Sequence, residues 1–191
     1  MPDARVYPLF LKLEGREVLV VGAGSVGERK IESLVEAGAR VRVVAPEATP
    51  RVRELAQQGA VEWRARRFVD ADAEGAWLIV AATPDAVAQS TVAASATART
   101  VFVVAVDDPP NASAYSGAVV RRPPFTVAIS SSGEAPALTR LLREIIEHVL
   151  PSENWVAHAR VLRRRWRADK TPMGARFGEL VRELAKRSDE P

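Results

Sequence analysis

The sequence of 191 residues has no cysteine, two histidines and few aromatic residues (6%). The lack of cysteine excludes disulfides, thiolate zinc sites, iron–sulfur clusters and a cysteine nucleophile. The spacing of His148 and His158 is not that of a metal site, so we expect no metal bound by the protein itself. No apolar run approaches the roughly 18 residues needed to span a bilayer, and the first residues do not resemble a secretory signal. We therefore expect a cytoplasmic protein without a membrane partner.

The net charge of +3 is concentrated at the C-terminal end. Residues 151–191 hold 10 Lys+Arg and 6 Asp+Glu, a net of +4, and the remaining 17 and 18 give −1. A basic segment with a tryptophan, such as the one around Trp166, is one signature of nucleic-acid binding. Acidic and apolar residues are interleaved with the basic ones, however, which favours a packed helical segment. We expect no nucleic-acid partner.

The most informative segment is an apolar run that ends in three glycines, Gly22, Gly24 and Gly27, with the spacing G-x-G-x-x-G. In a strand–turn–helix context, the first glycine permits the tight turn and the second lets a pyrophosphate approach the backbone. The third lets the helix pack close to the sheet. The N–H groups and the positive dipole end of the helix then face the phosphates. This segment predicts a dinucleotide site, and the alternative is a strand–turn–helix without a ligand.

The first two thirds of the chain alternate between short apolar runs and helix-like patterns. Near-continuous apolar strands separated by helices indicate a parallel, doubly wound α/β sheet of the Rossmann type. The segment from Tyr7 to Leu13 is predicted to pack on the sheet edge as a lead-in, and the third strand is predicted to lie near an edge. The predicted strands are at 17–21, 40–45, 61–68, 77–82 and 100–106.

The pattern changes after Pro110. Two short strands, at 118–121 and 125–130, are followed by a helix with a strong apolar stripe from Leu138 to Val149. Two strands and one helix make a thin core, so this stripe is either core or a face shared with a partner. The segment after Pro151 is predicted to be helical. We therefore predict three domains: a dinucleotide-binding domain at 1–112, a small α+β segment at 113–150, which is a dimerisation segment if its stripe is shared with a partner, and a helical tail at 151–191.

Polar residues at the strand ends are candidates for the site. In open α/β sheets, ligands bind beyond the carboxyl ends of the strands, so the glycine loop, Thr83 and Asp107 should converge on one crevice. A carboxylate near a nicotinamide is able to take up the proton that accompanies hydride transfer, and Asp107 and Asp108 both have the required side chain. Alternatively, either aspartate caps the turn before Pro109.

The cofactor preference depends on the end of the second strand. NAD-binding folds often carry an acidic residue about 20 positions after the glycine loop, where it binds the ribose hydroxyls. Glu47 is the candidate for this role. An arginine directly after the strand would have favoured NADP, and the arginines here come later, at Arg51 and Arg53. The residues therefore favour NAD.

Four blocks of sequence resemble a known family, the precorrin-2 dehydrogenase / sirohydrochlorin ferrochelatase family of siroheme synthesis. They follow one another in the order of the family over about residues 6–150, and the second and fourth together are specific. The family often has an asparagine three residues before its aspartate, and here this residue is Val104. The four blocks are YPLFLKL (7–13), VVGAGSVGERK (20–30), VAVDDP (104–109) and VAISSSGEAPALTRLLR (127–143).

The resemblance implies a stand-alone homodimer that uses NAD to oxidise precorrin-2 to sirohydrochlorin, with ferrous iron insertion as a second activity in some members. It implies that Ser25 and Val26 hold the cofactor phosphates, that Pro46 and Glu47 line the adenosine side, and that Asp107 is catalytic. A serine that is modified in some relatives corresponds to Ser131. Because the substrate carries many carboxylates, arginines are expected around the crevice, and Arg29, Arg121 and Arg122 are candidates.

The residues leave two other functions open. One is a non-catalytic regulator that binds NAD. The other is a chelatase that has the same fold but no redox activity.

Overall fold

The structure is a computed structural model that describes residues 6–151 and 153–188. The described chain divides into two compact units, one ending at Ser116 and the other beginning at Gly117. The boundary predicted after residue 112 remains a prediction.

The first unit is built on a five-stranded parallel sheet with the strand order β3-β2-β1-β4-β5. This confirms the predicted Rossmann-like α/β class, and the third strand is indeed at an edge. The strands are buried along most of their length because helices pack on both faces of the sheet. Their bounds are β1 Glu17–Ala23, β2 Arg40–Ala48, β3 Val61–Arg64, β4 Leu78–Ala81 and β5 Phe102–Ala105.

Alternate residues of β1 enter two separate cores. Val18 and Val20 pack in the core that contains Ile31 of helix α1 (Ser25–Glu36) and Val52 of helix α2 (Pro50–Gln57). Leu19 and Val21 pack in the core on the other face, with helix α3 (Ala86–Ala98). The central strand is therefore buried on both sides, which explains its uninterrupted apolar sequence.

Two helices of this unit begin at side-chain caps that satisfy the first free N–H groups. The Thr49 hydroxyl accepts a hydrogen bond from Val52 N, and Pro50 occupies the first turn of α2. The Asp85 carboxylate accepts hydrogen bonds from Val87 N and Ala88 N at the start of α3.

The third strand is shorter than predicted. It ends at Arg64, and the chain continues through a loop into a 3-10 turn at Asp70–Ala73. The Asp72 side chain is 1% exposed and binds the guanidinium groups of Arg64 (2.9 Å) and Arg66 (2.6 Å). Hydrogen bonds from Arg66, from Val69 N and from Arg64 lower the pKa of Asp72 to about 2, although burial opposes the shift. This charged cluster, rather than strand pairing, fixes the residues that follow β3.

The predicted lead-in at the N-terminus is wrong for most of its residues. Tyr7 is 86% exposed, and Leu9 and Phe10 are also exposed. Only Leu13 enters the core, where the chain turns into β1. The apolar residues of this segment therefore do not cover the sheet edge within the first unit.

The second unit begins with an antiparallel hairpin, β6 (Ala118–Arg122) and β7 (Phe125–Ile129). Helix α4 (Pro136–Val149) packs against it. Helices α5 (Glu153–Ala168) and α6 (Met173–Ser188) follow and pack against each other. Trp166 joins them by donating from Nε1 to Glu179 Oε2 (2.7 Å), and Arg165 donates to the other carboxylate oxygen, Oε1.

Candidate functional site

The turn between β1 and α1 contains the three glycines, and the structure explains each of them differently. Gly22 has φ +103°, and a Cβ there would lie 2.3 Å from the carbonyl oxygen of Ala82. A Cβ on Gly27 would lie 2.3 Å from the carbonyl oxygen of Gly22. Both residues are therefore required by packing within the protein, since real Cβ atoms do not approach so closely.

Gly24 is different because no contact within the described residues requires a glycine there. Its φ of −76° is accessible to any residue, and a Cβ would meet no atom of residues 6–151 and 153–188 within 4 Å. A Cβ at this position would instead lie in open space. This is the property expected where a ligand approaches the backbone, so the turn fits a dinucleotide pyrophosphate.

The N-terminus of α1 also suits an anion. Gly24 is the N-cap residue and has no side chain to bind the first N–H groups. The hydrogen-bond ladder begins with Glu28 N, which donates to Gly24 O (2.8 Å). The N–H groups of Ser25, Val26 and Gly27 precede this bond and lie in the first turn, where the helix dipole favours negative charge.

A cavity of about 300 Å³ lies beyond the carboxyl ends of β1, β2 and β4. Three of the predicted cofactor residues line it, namely Gly22, Pro46 and Thr83. Gly24, Ser25, Val26 and Gly27 form the neighbouring turn. The cavity has an apolar wall and a few polar groups, as cofactor sites commonly do. Its remaining lining residues are Val21, Val44, Ala45, Arg67, Phe68, Asp85, Val87, Ala88 and Thr91.

The second strand reaches this cavity by a bulge. In the β1–β2 ladder, Val21 pairs with Val44 but Ala23 pairs with Ala48, so β2 holds two extra residues between these pairs. Pro46 and Glu47 belong to this bulge and are both exposed. Trp63 of β3 fixes its start by donating from Nε1 to the carbonyl oxygen of Ala45 (3.0 Å). Pro46 lines the cavity, whereas Glu47 lies outside the lining.

Arg67 and Phe68 line the cavity but were not predicted to do so. Their segment was predicted as part of the third strand, where they would have lain along the sheet edge. The early end of β3 and the charged cluster around Asp72 instead turn this segment toward the cavity. The mixed pattern of polar and apolar residues at 61–68 was the only available signal, and it does not distinguish a strand from a loop.

The structure places Asp107 and Asp108 just beyond β5 in different environments. Val106 N donates to Ala81 O (2.9 Å), which extends the β4–β5 pairing by one residue. Asp107 follows with φ +57° and is exposed, and it lies outside the residues that line the cavity. The Asp108 carboxylate accepts a hydrogen bond from the Asn111 side chain (Nδ2, 2.7 Å), but within the described residues it makes no capping hydrogen bond to the backbone of the 3-10 turn at Pro109–Asn111.

Lys30 of α1 is another residue that was not predicted from the sequence. It is half-buried, and its Nζ donates to Ser116 Oγ (2.6 Å). Burial and the neighbouring Arg29 lower the pKa of the Lys30 ammonium, whereas the Asp107 carboxylate acts in the opposite direction. Lys30 and Asp107 therefore interact electrostatically within the same unit.

Several other candidate residues have structural partners. Arg122 donates to the carbonyl oxygen of Leu150 (2.7 Å), near the end of α4. The Ser131 hydroxyl accepts a hydrogen bond from Ala135 N (3.1 Å), the N–H of the residue that precedes α4. In the ranges 6–151 and 153–188, no group of three or more metal-ligating side chains lies close enough to hold a metal ion. None of the helices in that part of the chain is long and apolar enough to cross a membrane.

Comparison with known proteins identifies relatives of both units. A family model described as putative NAD(P)-binding matches residues 9–118, and one described as sirohaem biosynthesis protein central matches residues 124–148. The chain is 43% identical over 171 residues to siroheme synthase 3 of Aeromonas hydrophila. It is 48% identical over 145 residues to siroheme synthase 1 of Cronobacter sakazakii. These alignments cover 88% and 76% of this chain, but only 36% and 31% of those proteins.

The chain thus spans about a third of the length of these curated relatives. A solved structure of similar fold is that of SirC, a precorrin-2 dehydrogenase. It has a TM-score of 0.73 and 24% identity, and the match covers 93% of this chain and 88% of that one. The likeness therefore extends over both units and not only over the dinucleotide-binding fold.

Proposed function

We propose that this chain, which belongs to the family described as putative NAD(P)-binding and also matches the sirohaem biosynthesis central family over residues 124–148, catalyses the NAD-dependent dehydrogenation of precorrin-2 to sirohydrochlorin. The observation that carries the proposal is the turn at Gly24, which is open to a ligand at the N-terminus of α1 and lies beside a cavity at the strand ends. The relatives named siroheme synthase support the tetrapyrrole substrate.

The cofactor residues act through their backbone and shape. The first-turn N–H groups of Ser25 and Val26 bind the pyrophosphate, and Gly24 allows its approach. Pro46 borders the adenosine side, with Glu47 on the adjacent bulge as the partner of the ribose hydroxyls, and Thr83 lines the same cavity at the end of β4. Bound NAD supplies the two-electron acceptor, and the protein's task is to place it.

Asp107 takes up the proton that the substrate loses. It is exposed at the carboxyl end of β5, so a substrate is able to reach it, and the Lys30 ammonium acts on it electrostatically. Asp108 is the weaker candidate, because its carboxylate already binds Asn111. The tetrapyrrole's own carboxylates are expected to meet cationic groups, and Arg29 on the exposed side of α1 is one of them.

The direct test is to incubate the purified protein with precorrin-2 and NAD and to follow NADH by its absorbance. Formation of NADH that requires both compounds supports the proposal, and NADH at the background level refutes it. Binding of NAD without turnover would indicate the regulator. Metal insertion into sirohydrochlorin above a metal-only control, without NADH formation, would indicate the chelatase.

We propose further that the second unit forms a homodimer through α4. One face of this helix packs against β6 and β7, while apolar residues on its other face are exposed. Each Å² of apolar surface that a second copy buried would stabilise the dimer by roughly 25 cal/mol. Light scattering should give twice the chain mass, and a monomer at micromolar concentration would refute the dimer. The exposed residues are Leu138, Leu141, Leu142, Ile145 and Val149.

A further inference from the structure

Gln89 is a buried polar residue of α3 whose side chain joins two strand ends. It is 5% exposed, and its Nε2 donates to Thr83 O (3.1 Å) and to Val106 O (3.0 Å). Both partners are carbonyl oxygens, which only accept hydrogen bonds, so the nitrogen of the amide must face them and both of its hydrogens are used. Thr83 follows β4 and Val106 follows β5.

These two bonds lie where the sheet's own hydrogen bonds stop. The β4–β5 ladder pairs Ala81 with Ala105, and Val106 N to Ala81 O is the next bond beyond it. The following residue, Asp107, has φ +57°, a left-handed conformation that costs a non-glycine residue roughly 1–2 kcal/mol. A backbone in this state remains in place only when its surroundings hold it.

We propose that Gln89 is a positioning residue, whose amide clamps the end of β5 to the end of β4 and so fixes the backbone from which Asp107 reaches the substrate. The proposal rests on the proposed function of Asp107. Thr83, at the other end of the clamp, lines the cofactor cavity, so the same side chain sets the spacing between the cofactor side and the proton acceptor.

The oxygen of the Gln89 amide indicates that this side chain does more than stabilise the fold. Gln89 Oε1 is buried and has no hydrogen-bond partner within the described part of the chain. A buried polar atom left without a partner costs about 1–3 kcal/mol. A methionine would fill a similar volume without this cost, so the amide is explained by the two carbonyls that it holds.

Two variants of similar size test the clamp. Gln89→Glu keeps the shape of the side chain but has no N–H group, so a carboxyl oxygen takes the place of Nε2 and faces the two carbonyl oxygens. Gln89→Met removes the polar group and keeps the volume, so it tests the clamp even if Gln89→Glu does not fold. Ser95→Ala is the matched control, since Ser95 is a buried polar residue of the same helix whose hydroxyl binds Asp70 (2.7 Å), away from the strand ends.

The kinetic measurement separates positioning from folding. Well below the melting temperature, both Gln89 variants should lower kcat for NADH formation about tenfold or more, while KM for precorrin-2 changes less than about twofold. The reason is that a displaced catalytic group raises the barrier without removing a substrate contact. Ser95→Ala should retain kcat. An unchanged kcat in both Gln89 variants would overturn the proposal.

Hydrogen exchange supplies a readout that does not depend on the activity. Peptides covering residues 104–112 should exchange faster in Gln89→Met than in the wild type and in Ser95→Ala, because the strand end has lost its clamp. Unchanged exchange in this segment would overturn the positioning role even if the wild type oxidises precorrin-2. Faster exchange in Gln89→Met, together with a wild-type protein that forms no NADH, would support the clamp and refute the proposed function alone.

Discussion

Replacing Gly24 by alanine is expected to weaken dinucleotide binding while leaving the stability of the fold almost unchanged. The added Cβ would meet no atom of the described part of the chain within 4 Å, and the φ of −76° suits alanine. A glycine-to-alanine change at a compatible conformation stabilises a protein by about 0.4–1 kcal/mol through the unfolded state. Alanine is a poorer N-cap than glycine by a similar amount, so the two effects nearly cancel.

Gly27→Ala is the contrasting variant. Its Cβ would lie 2.3 Å from Gly22 O, a backbone atom that is not free to move aside. Overpacking of this kind costs about 1–3 kcal/mol. For a chain of this length, each kcal/mol lowers the melting temperature by about 2–4 °C, so a loss of about 2–12 °C is expected. Gly24→Ala should shift the melting temperature by less than about 4 °C.

The binding measurement is a calorimetric titration of NAD into the wild type and both variants. For Gly24→Ala, we expect Kd to rise at least tenfold, which corresponds to about 1.4 kcal/mol, because the Cβ occupies the approach of the pyrophosphate. If Gly24→Ala binds NAD with the wild-type Kd, the pyrophosphate does not approach this turn, and the reasoning about the open glycine is refuted.

Three further changes test other parts of the structure. Asp107→Asn should abolish NADH formation while Kd for NAD stays within about twofold by titration, and wild-type turnover would contradict its catalytic role. Asp72→Asn should lower the melting temperature by about 4–8 °C, a loss of about 2 kcal/mol. Since the folded-state pKa of Asp72 is lowered to about 2, its contribution is fully present above about pH 4 and is lost as the pH falls toward 2. The stability of Asp72→Asn should therefore depend less steeply on pH in this range than that of the wild type, as followed by circular dichroism during acid unfolding. An unchanged pH dependence would contradict the role of the Asp72 cluster. Leu141→Glu should convert the proposed dimer to a monomer by light scattering, and a persistent dimer would exclude the α4 face.

The alternation of apolar runs and amphipathic helices was sufficient to predict the doubly wound sheet, because a parallel strand buried on both faces has no polar positions. Val18 and Leu19 face opposite cores, as such a strand requires. The edge position of β3 was also predictable from its partly alternating sequence. Boundaries were less accurate where side-chain contacts outside the strand intervene, as after Arg64, where the strand pairing ends and Asp72 binds Arg64 and Arg66.

The sequence by itself determined the chemistry of the loop. Glycine at positions 22, 24 and 27 permits backbone conformations and close approaches of other atoms that a side chain would prevent. These depend on neighbours within a few residues or on the adjacent strand. Only the tertiary structure showed that these glycines are needed for different reasons. Backbone atoms of the protein would contact a Cβ on Gly22 or Gly27, whereas no atom of the described residues lies within 4 Å of a Cβ on Gly24. It alone brought Arg67 to the cavity and Gln89 to the ends of β4 and β5. Such contacts join residues that are separated in the chain, so the sequence next to each residue does not predict them.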